Sequence, residues 1–235
     1  MDELLTAAQM RAIEAAAIAS GTVTGQDLME RAGRGVVAAI FEVWPELGTP
    51  APALAGAHEY LNREDGRRTA LVLSGPGNNG GDGFVVARLL AQLGWAVEVY
   101  FLGDPARLPR DAAENHRRWL ALGPLNPWHD VAVASTILDR AKPIDLLVDA
   151  LFGIGISRPL GPSLAQTRDA ITAAVAAGPA PRVLAVDVPS GVSGDTGDAF
   201  GAWPAHVTVT FHRLKHGHRA AAAQCGRVVV KDIGL

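Results

Sequence analysis

The stretch Leu71-Val-Leu-Ser-Gly75-Pro76-Gly77-Asn78-Asn79-Gly80-Gly81-Asp82-Gly83-Phe84 constrains this chain more than any other. Four apolar or small residues lead into a run with five glycines, and an apolar helical pattern follows. Strand, tight loop and helix in that order are the layout of a phosphate-binding turn, in which N–H groups at a helix start face an anion. Gly75, Gly77 and Gly80 also fit the spacing G-x-G-x-x-G, a weak match by itself. The loop is set apart by Asn78, Asn79 and Asp82 within it, with Pro76 stiffening the turn. Two carboxamides and a carboxylate can hold a hydroxyl, an amide or a hard cation through oxygen. The plainer alternative is an Asx-rich turn that caps only its own backbone.

From this loop onward strands and helices alternate. Strands are expected at Thr69–Ser74, Ala96–Leu102, Asp145–Phe152, Arg182–Val188, His206–Thr210 and Arg227–Lys231. Helices are expected at Phe84–Leu93, Asp111–Leu122 and Ser163–Ala177, with residues 125–142 a short strand or irregular piece before another helix. Such alternation argues for an α/β, Rossmann-like fold with a mostly parallel central sheet and helices on both faces. Two N-terminal helices precede the first strand. Thr6 and Gln9 form a capping box for one, which Gly21 stops; the other runs from about Gln26 to Val43. In the second, Ala32, Gly33 and Gly35 would permit close packing, and the pair would serve as a dimer face or a wall of the ligand pocket. Residues 45–68 read as a surface connection, and the whole chain, 1–235, as one domain.

Composition narrows the partners. A formal net charge of −3 with no stripe of Lys and Arg argues against nucleic acid or an anionic membrane. The lone Cys225 rules out an intrachain disulfide and a cysteine-rich metal site, and fits a reducing cytoplasm. The start, Met1-Asp2-Glu3, is acidic where a secretory signal would be basic, and no apolar run reaches the roughly 20 residues of a spanning helix.

In an open parallel sheet the ligand lies at the carboxyl ends of the strands. Two further aspartates fall there: Asp149, followed by Gly153-Ile154-Gly155-Ile156-Ser157-Arg158-Pro159, and Asp187, followed by Val188-Pro189-Ser190-Gly191. A carboxylate at the end of an apolar strand is costly unless it bonds something. His212, His216 and His218 cluster in sequence but lack the acids or cysteine that would complete a metal site, so they read as a basic loop near the pocket, with Lys215 available to a phosphate. The tryptophans Trp44, Trp95, Trp119, Trp128 and Trp203 read as packing, and Cys225 as a small core residue.

Gly75-Pro-Gly-Asn-Asn-Gly-Gly-Asp-Gly83, Val148-Asp-Ala-Leu-Phe-Gly-Ile-Gly155 and Val186-Asp-Val-Pro-Ser-Gly191 together resemble the three signatures of the YjeF N-terminal domain family. Leu5–Ile13 and Leu28–Gly33 look like its first two helices, and Cys225–Gly234 like its closing strand, so the likeness spans nearly the whole chain. The family comprises NAD(P)H-hydrate epimerases, which interconvert the R and S forms of NADH and NADPH hydrated at C6 of the nicotinamide ring. The resemblance implies a Rossmann-like fold, a homodimer, a bound potassium ion and coupling to an S-specific, ADP- or ATP-dependent dehydratase. Carried over by motif, Asn78, Asn79, Gly80, Gly81 and Asp82 would contact the hydrated nucleotide. Gly153, Ile154, Gly155, Ile156, Ser157, Arg158 and Pro159 would wrap its phosphates, and Asp187 would reach the ring. Asn79, Asp149 and Ser190 would hold the potassium. Family members often carry a proline where His216 stands, so this pocket wall departs from the pattern.

The residues suit that chemistry. Carboxamide, carboxylate and hydroxyl are the hard, oxygen-only donors an alkali cation takes. Inverting a carbinol carbon needs proton transfer at its hydroxyl, with Asp187 the first candidate for acid/base and Asp82 the second. Two rivals are a non-catalytic nucleotide- or protein-binding module on the same fold and an ordinary NAD-dependent dehydrogenase. The first has no need of Asp187 beside Asp149 and Asn79; the second would not put a carboxylate where pyrophosphate should sit. No dehydratase motif is present up to Leu235, where a fused dehydratase would begin, so no ADP- or ATP-dependent activity is expected of this sequence, whether it stands alone or is cut from a fusion.

Overall fold

The computed structural model describes residues 4–48, 67–139, 144–177 and 181–235. Seven strands form one sheet: β1 Thr69–Ser74, β2 Ala96–Phe101, β3 Asn126–Pro127, β4 Leu146–Ala150, β5 Arg182–Val186, β6 Val207–Phe211 and β7 Arg227–Lys231. Their order is β3-β2-β1-β4-β5-β6-β7, and every pairing is parallel. The chain thus builds outward from β1 in one direction and then starts again on its other side with β4. That reversal opens a crevice beyond the ends of β1 and β4, where doubly wound sheets bind ligands.

The helices are α1 Ala7–Ala19, α2 Gly25–Val43, α3 Asn78–Gln92, α4 Arg110–Leu120, α5 Asp130–Leu138 and α6 Ala165–Ala177, with two short ones, α7 His216–Ala220 and α8 Ala222–Cys225. Strand residues alternate between two cores. Ala70, Val72, Leu146, Val148, Leu184 and Val186 pack under Leu28, Val36 and Ile40 of α2 and Phe84 of α3. Leu71, Leu73, Leu147, Val183 and Ala185 pack under Val133 and Ile137 of α5 and Ile171 of α6. Period-two alternation between two greasy faces is what makes these strands read as near-continuous apolar runs.

The first helices form as their sequence dictates. Thr6 accepts from the Gln9 backbone N–H while the Gln9 side chain accepts from the Thr6 N–H, and Thr24 and Asp27 do the same for α2. Each such cap contributes about 1 kcal/mol. Gly33 lets α2 approach α3, since a Cβ there would lie 2.3 Å from Val85 Cγ1. The strand and helix expected within 125–142 are β3 and α5. Of the expected connection at 45–68, Pro45–Gly48 is a 3-10 turn, and residues 49–66 fall outside the described residues.

One boundary differs from the sequence reading in a way that matters. Helix α3 starts at Asn78, not after Gly83, so Asn78, Asn79 and Asp82 belong to its first turns. The reason is steric. At Gly83 a Cβ would lie 2.7 Å from both Ala150 Cβ and Ser74 Oγ, so glycine alone lets the helix begin pressed against the sheet.

Candidate active site

A cleft of about 730 Å³ sits over the β1–β4 crevice. Its floor is the start of α3, with Gly77, Asn78, Asn79 and Asp82; one side is the loop from Leu151 to Gly161; Asp187, Phe211 and Lys215 close the far end. The fourth side is α1, through Met10, Arg11 and Glu14. Of the two N-terminal helices, α1 is a pocket wall, whereas α2 contributes no residue to the cleft and packs on the sheet.

Four loops converge because the strand ends are tied together. Gly75 donates from its N–H to the Ala150 carbonyl at 3.1 Å, and a Cβ at Gly75 would lie 1.8 Å from the Leu151 carbonyl. Only glycine allows β1 and β4 to lead out side by side. Gly77 then caps α3 in an extended conformation without a side-chain bond, leaving the first N–H groups of the helix toward the cleft. That end carries the positive pole of the helix dipole.

Asp187 follows β5 immediately, with φ of 66°. The Val188 N–H donates to the Val186 carbonyl across it at 2.9 Å, which makes Asp187 the centre of a γ-turn. With a positive φ this is the rare, strained form of that turn. His212 repeats the arrangement at the end of β6, with φ of 63° and Arg213 N–H donating to Phe211 O at 2.7 Å. The first turn swings the Asp187 carboxylate into the cleft. There Oδ1 accepts from Thr210 Oγ1 at 3.0 Å and from Lys215 Nζ at 3.0 Å, and Oδ2 accepts from the Ile154 N–H at 3.3 Å.

Lys215 is only 1% exposed. Its ammonium donates to Asp187 Oδ1, Thr210 Oγ1 and the Phe211 carbonyl, which uses all three protons. It therefore has no donor left for a phosphate, contrary to the sequence reading. Arg11 of α1 is better placed for that task, its guanidinium lying 3.0 Å from where a Gly155 Cβ would be.

The carboxyl groups diverge in protonation. Burial pushes Asp187 up, but the Lys215 charge and hydrogen bond, with the Thr210 hydroxyl, outweigh it and hold the carboxyl below its ordinary value. Asp82 goes the other way. Burial, then the charges of Asp187 and Glu14, raise it well above the usual carboxylate range, although it keeps some exposure to the cleft it lines. Glu14 is raised too, by burial and then by Asp187. One cleft thus holds two carboxyl groups shifted in opposite directions, the divergence that marks acid/base sites.

Asp149 lies beneath them, 2% exposed. It accepts from the Ser190 N–H at 2.7 Å and Ser190 Oγ at 2.6 Å, while Ser190 Oγ accepts from the Phe152 N–H at 3.1 Å. Burial pushes the Asp149 carboxyl up to about 6, against the pull of the Ser190 and Leu151 bonds. Asn79 stands nearer the surface, with its Oδ1 and Asp187 Oδ2 each 3.2 Å from the position a Gly153 Cβ would take. Its Nδ2 is buried with no hydrogen-bond partner.

The fold therefore brings together Asn78, Asn79, Asp82, Asp187 and the whole run from Gly153 to Pro159. Gly80 and Gly81 do not line the cleft. They face inward, Gly80 against the Gly75 backbone and Gly81 against Met29 Sδ. His218 is buried within the fold, and among the described residues no group of three His, Cys, Asp or Glu could hold a metal ion. Cys225 is buried with its thiol pushed up to about 11 by burial, which suits a core residue and not a nucleophile. Sequence reasoning missed Glu14 and Arg11. Met10 faces inward and Glu14 lies four residues on, so helical spacing alone would have turned Glu14 toward the same interior.

The fold and site define a class: a doubly wound α/β protein with a nucleotide-sized cleft at its switch point, lined by three acidic and three basic side chains. Residues 25–217 match the family model described as YjeF-related protein N-terminus, and the chain belongs to that family. It is similar to an NAD(P)H-hydrate epimerase of Rhodobacter capsulatus, 46% identical over 100% of both chains. It also resembles a bifunctional NAD(P)H-hydrate repair enzyme Nnr of Methanothermobacter thermautotrophicus, 39% identical over 80% of this chain and 37% of that one. The crystal structure of yeast ynu0, YNL200c, superposes with a TM-score of 0.75 at 21% identity, covering 98% of this chain and 88% of that one. The shared fold is thereby established.

Proposed function

We propose that this protein epimerises the R and S hydrates of NADH and NADPH. The observation that carries the reading is that one cleft of nucleotide size holds Asp187, kept below its ordinary value by Lys215, beside Asp82, raised above it by burial. Epimerisation at a carbinol carbon next to nitrogen can run through loss and return of water or through ring opening and closure. In the first, the acid protonates the departing hydroxyl and the base takes a proton from the water that adds to the other face. In the second, the base takes the hydroxyl proton as the ring C–N bond breaks and the acid protonates the nitrogen. The second route returns both protons when the ring closes on the other face. The first leaves the acid ionised and the base protonated until a proton passes back between them through solvent. Both need one donor and one acceptor of protons. Asp187 is the acceptor in this reading and Asp82 the donor.

The remaining residues bind. The start of α3 and the loop from Gly153 to Pro159 would take the pyrophosphate, with Arg158 and Arg11 supplying charge. Asn79, Asp149 and Ser190 would hold potassium. The donor set supports this, as does the unpartnered buried amide of Asn79, which on reversal would present its oxygen. A bound cation would supply a fixed positive charge near the carboxylates. Potassium but not sodium should raise the thermal midpoint of the protein, and Asp149→Asn should remove that difference.

The reading also carries a homodimer and a cytoplasmic location. Cys225, free and buried, suits a reducing compartment, and no helix of the described residues is long and apolar enough to cross a membrane. Size-exclusion chromatography with light scattering tests the dimer. A dehydratase acting on the S hydrate is the expected functional partner, as similarity to a bifunctional repair enzyme supports.

The test is direct. The R hydrate of NADH is mixed with the protein in potassium buffer, coupled to an S-specific dehydratase, and NADH recovery is followed. Recovery above the spontaneous rate that is lost in Asp187→Asn supports the assignment. Recovery no faster than the blank, with hydrate still bound, favours a binding module.

A further inference from the structure

Asp187 holds its carboxylate in the cleft only while its backbone stays in a conformation that a residue with a side chain disfavours. A positive φ at a non-glycine residue must be fixed by its surroundings. The Asp187 N–H donates to the Val209 carbonyl at 2.8 Å, which holds one side of the turn to β6. The other side is held by a residue the proton chemistry does not use.

His218 is 3% exposed and stands at 2.7 Å, through Nε2, from the Asp187 carbonyl oxygen. Its other nitrogen, Nδ1, lies 2.9 Å from the Lys215 backbone N–H. A backbone N–H can only donate, so Nδ1 must be the acceptor and the proton sits on Nε2. The neutral imidazole thus has one possible tautomer here, and its N–H donates to Asp187 O. Burial holds the ring below its ordinary value, in keeping with that neutral state; Asp187 and Lys215 are the charged groups that face it.

The contacts close a ring. Lys215 Nζ holds the Asp187 carboxylate, the Lys215 main chain holds His218, and His218 holds the Asp187 main chain. Remove the imidazole and two buried polar groups, Asp187 O and Lys215 N, lose these partners. The γ-turn is then free to relax toward ordinary backbone, carrying the carboxylate with it. We propose that His218 is a positioning residue for the epimerisation, fixing the Asp187 carboxylate by clamping its strained carbonyl to the backbone of its own ion-pair partner. The proposal rests on the assignment of Asp187 as the proton acceptor.

Two substitutions separate the roles of the ring. His218→Met fills the volume and offers neither bond, whereas His218→Gln offers a donor and an acceptor with no charge to titrate. For a positioning residue, His218→Met should lower kcat about 10- to 100-fold while KM changes less than about threefold, since a shift of about 1 Å at a reacting group costs that much. His218→Gln should recover most of the loss. In the Asp187→Asn background, His218→Met should cost less than about twofold, because there is no carboxylate left to aim.

The outcomes are separable. If Asp187→Asn retains full epimerisation, the Asp187 assignment fails first. If Asp187→Asn is inactive but His218→Met keeps wild-type kcat, the clamp alone is wrong. An equal loss from His218→Met with and without the Asp187 carboxylate would also overturn it, as would a failure of His218→Gln to restore rate while circular dichroism shows it folded. If His218→Met does not fold, the His218→Gln comparison and its split between kcat and KM decide the matter.

Discussion

The Lys215 ammonium lies 3.0 Å from Asp187 Oδ1, with side-chain exposures of 1% and 14%. Both charges are withdrawn from water, and each has further partners in Thr210 Oγ1 and the Phe211 carbonyl or the Ile154 N–H. Removing one partner of such a pair leaves a buried charge uncompensated. Lys215→Met should therefore destabilise the protein by about 3 kcal/mol in chemical denaturation at neutral pH. The pair also sets a pH limit. Folded Asp187 sits below its ordinary value, so the pair's contribution to stability is complete above that value and is lost as pH falls through the folded one. In kinetics, Lys215→Met should move the acid limb of kcat/KM to higher pH. A limb that stays in place would mean another group sets it.

Asp82 should write the opposite limb. Its carboxyl is raised, chiefly by burial, so its proton persists above the ordinary carboxylate range and is lost as pH rises. Activity that needs that proton falls with it. Asp82→Asn should reduce kcat about 10²- to 10⁴-fold and leave the residual rate without the basic limb. The pH profile of the variant is the check.

Asp149 links pH to the ion. Its carboxyl rises from 3.8 unfolded to about 6 folded, so between those values the folded chain holds a proton that the unfolded chain has lost. Stability without potassium should fall as pH climbs through that window, by about 3 kcal/mol at most. Potassium, which favours the carboxylate, should offset the decline, and Asp149→Asn should flatten it. Thermal melts between pH 4 and pH 7, with potassium or with a bulky organic cation, measure all three.

Gly153→Ala tests how tightly the cleft is drawn. The new Cβ would stand 3.2 Å from both Asn79 Oδ1 and Asp187 Oδ2, closer than most real contacts of that kind. The loop is at the surface of the cleft, so the melting midpoint should move little. kcat/KM should drop about tenfold or more, because both neighbours must give way. An unchanged kcat/KM would show that Asn79 and Asp187 tolerate displacement.

Much of this was legible beforehand. Strands β4 and β5 carry the apolar runs Leu146–Val148 and Val183–Val186, and the glycine-rich turn after β1 announced both the sheet and the ligand end of it. Asp149 and Asp187 stood out because carboxylates at the ends of such runs need partners. The start of α3 was not legible, since Gly80, Gly81 and Gly83 read as loop in one dimension and become a helix only against Gly75, Met29 and Ala150. Nor was Lys215. Its neighbours in sequence suggested a basic loop near the pocket with Lys215 turned to a phosphate, and only the γ-turns after β5 and β6 carry it inward to meet Asp187. The role of His218 depends on tautomer, which no spacing records.

The wall formed by α1 has a consequence for how the protein is made. Leu5 N–H donates to Leu214 O at 2.9 Å, and Ala7 N–H to Asp195 Oδ1, a partner 188 positions away. A chain synthesised from its N-terminus releases α1 long before the groups that dock it. The cleft is thus completed only once that later segment has been made. A nascent polypeptide on the ribosome can carry a formed β1 and α3 and still lack catalytic power until the segment around Lys215 has left the exit tunnel.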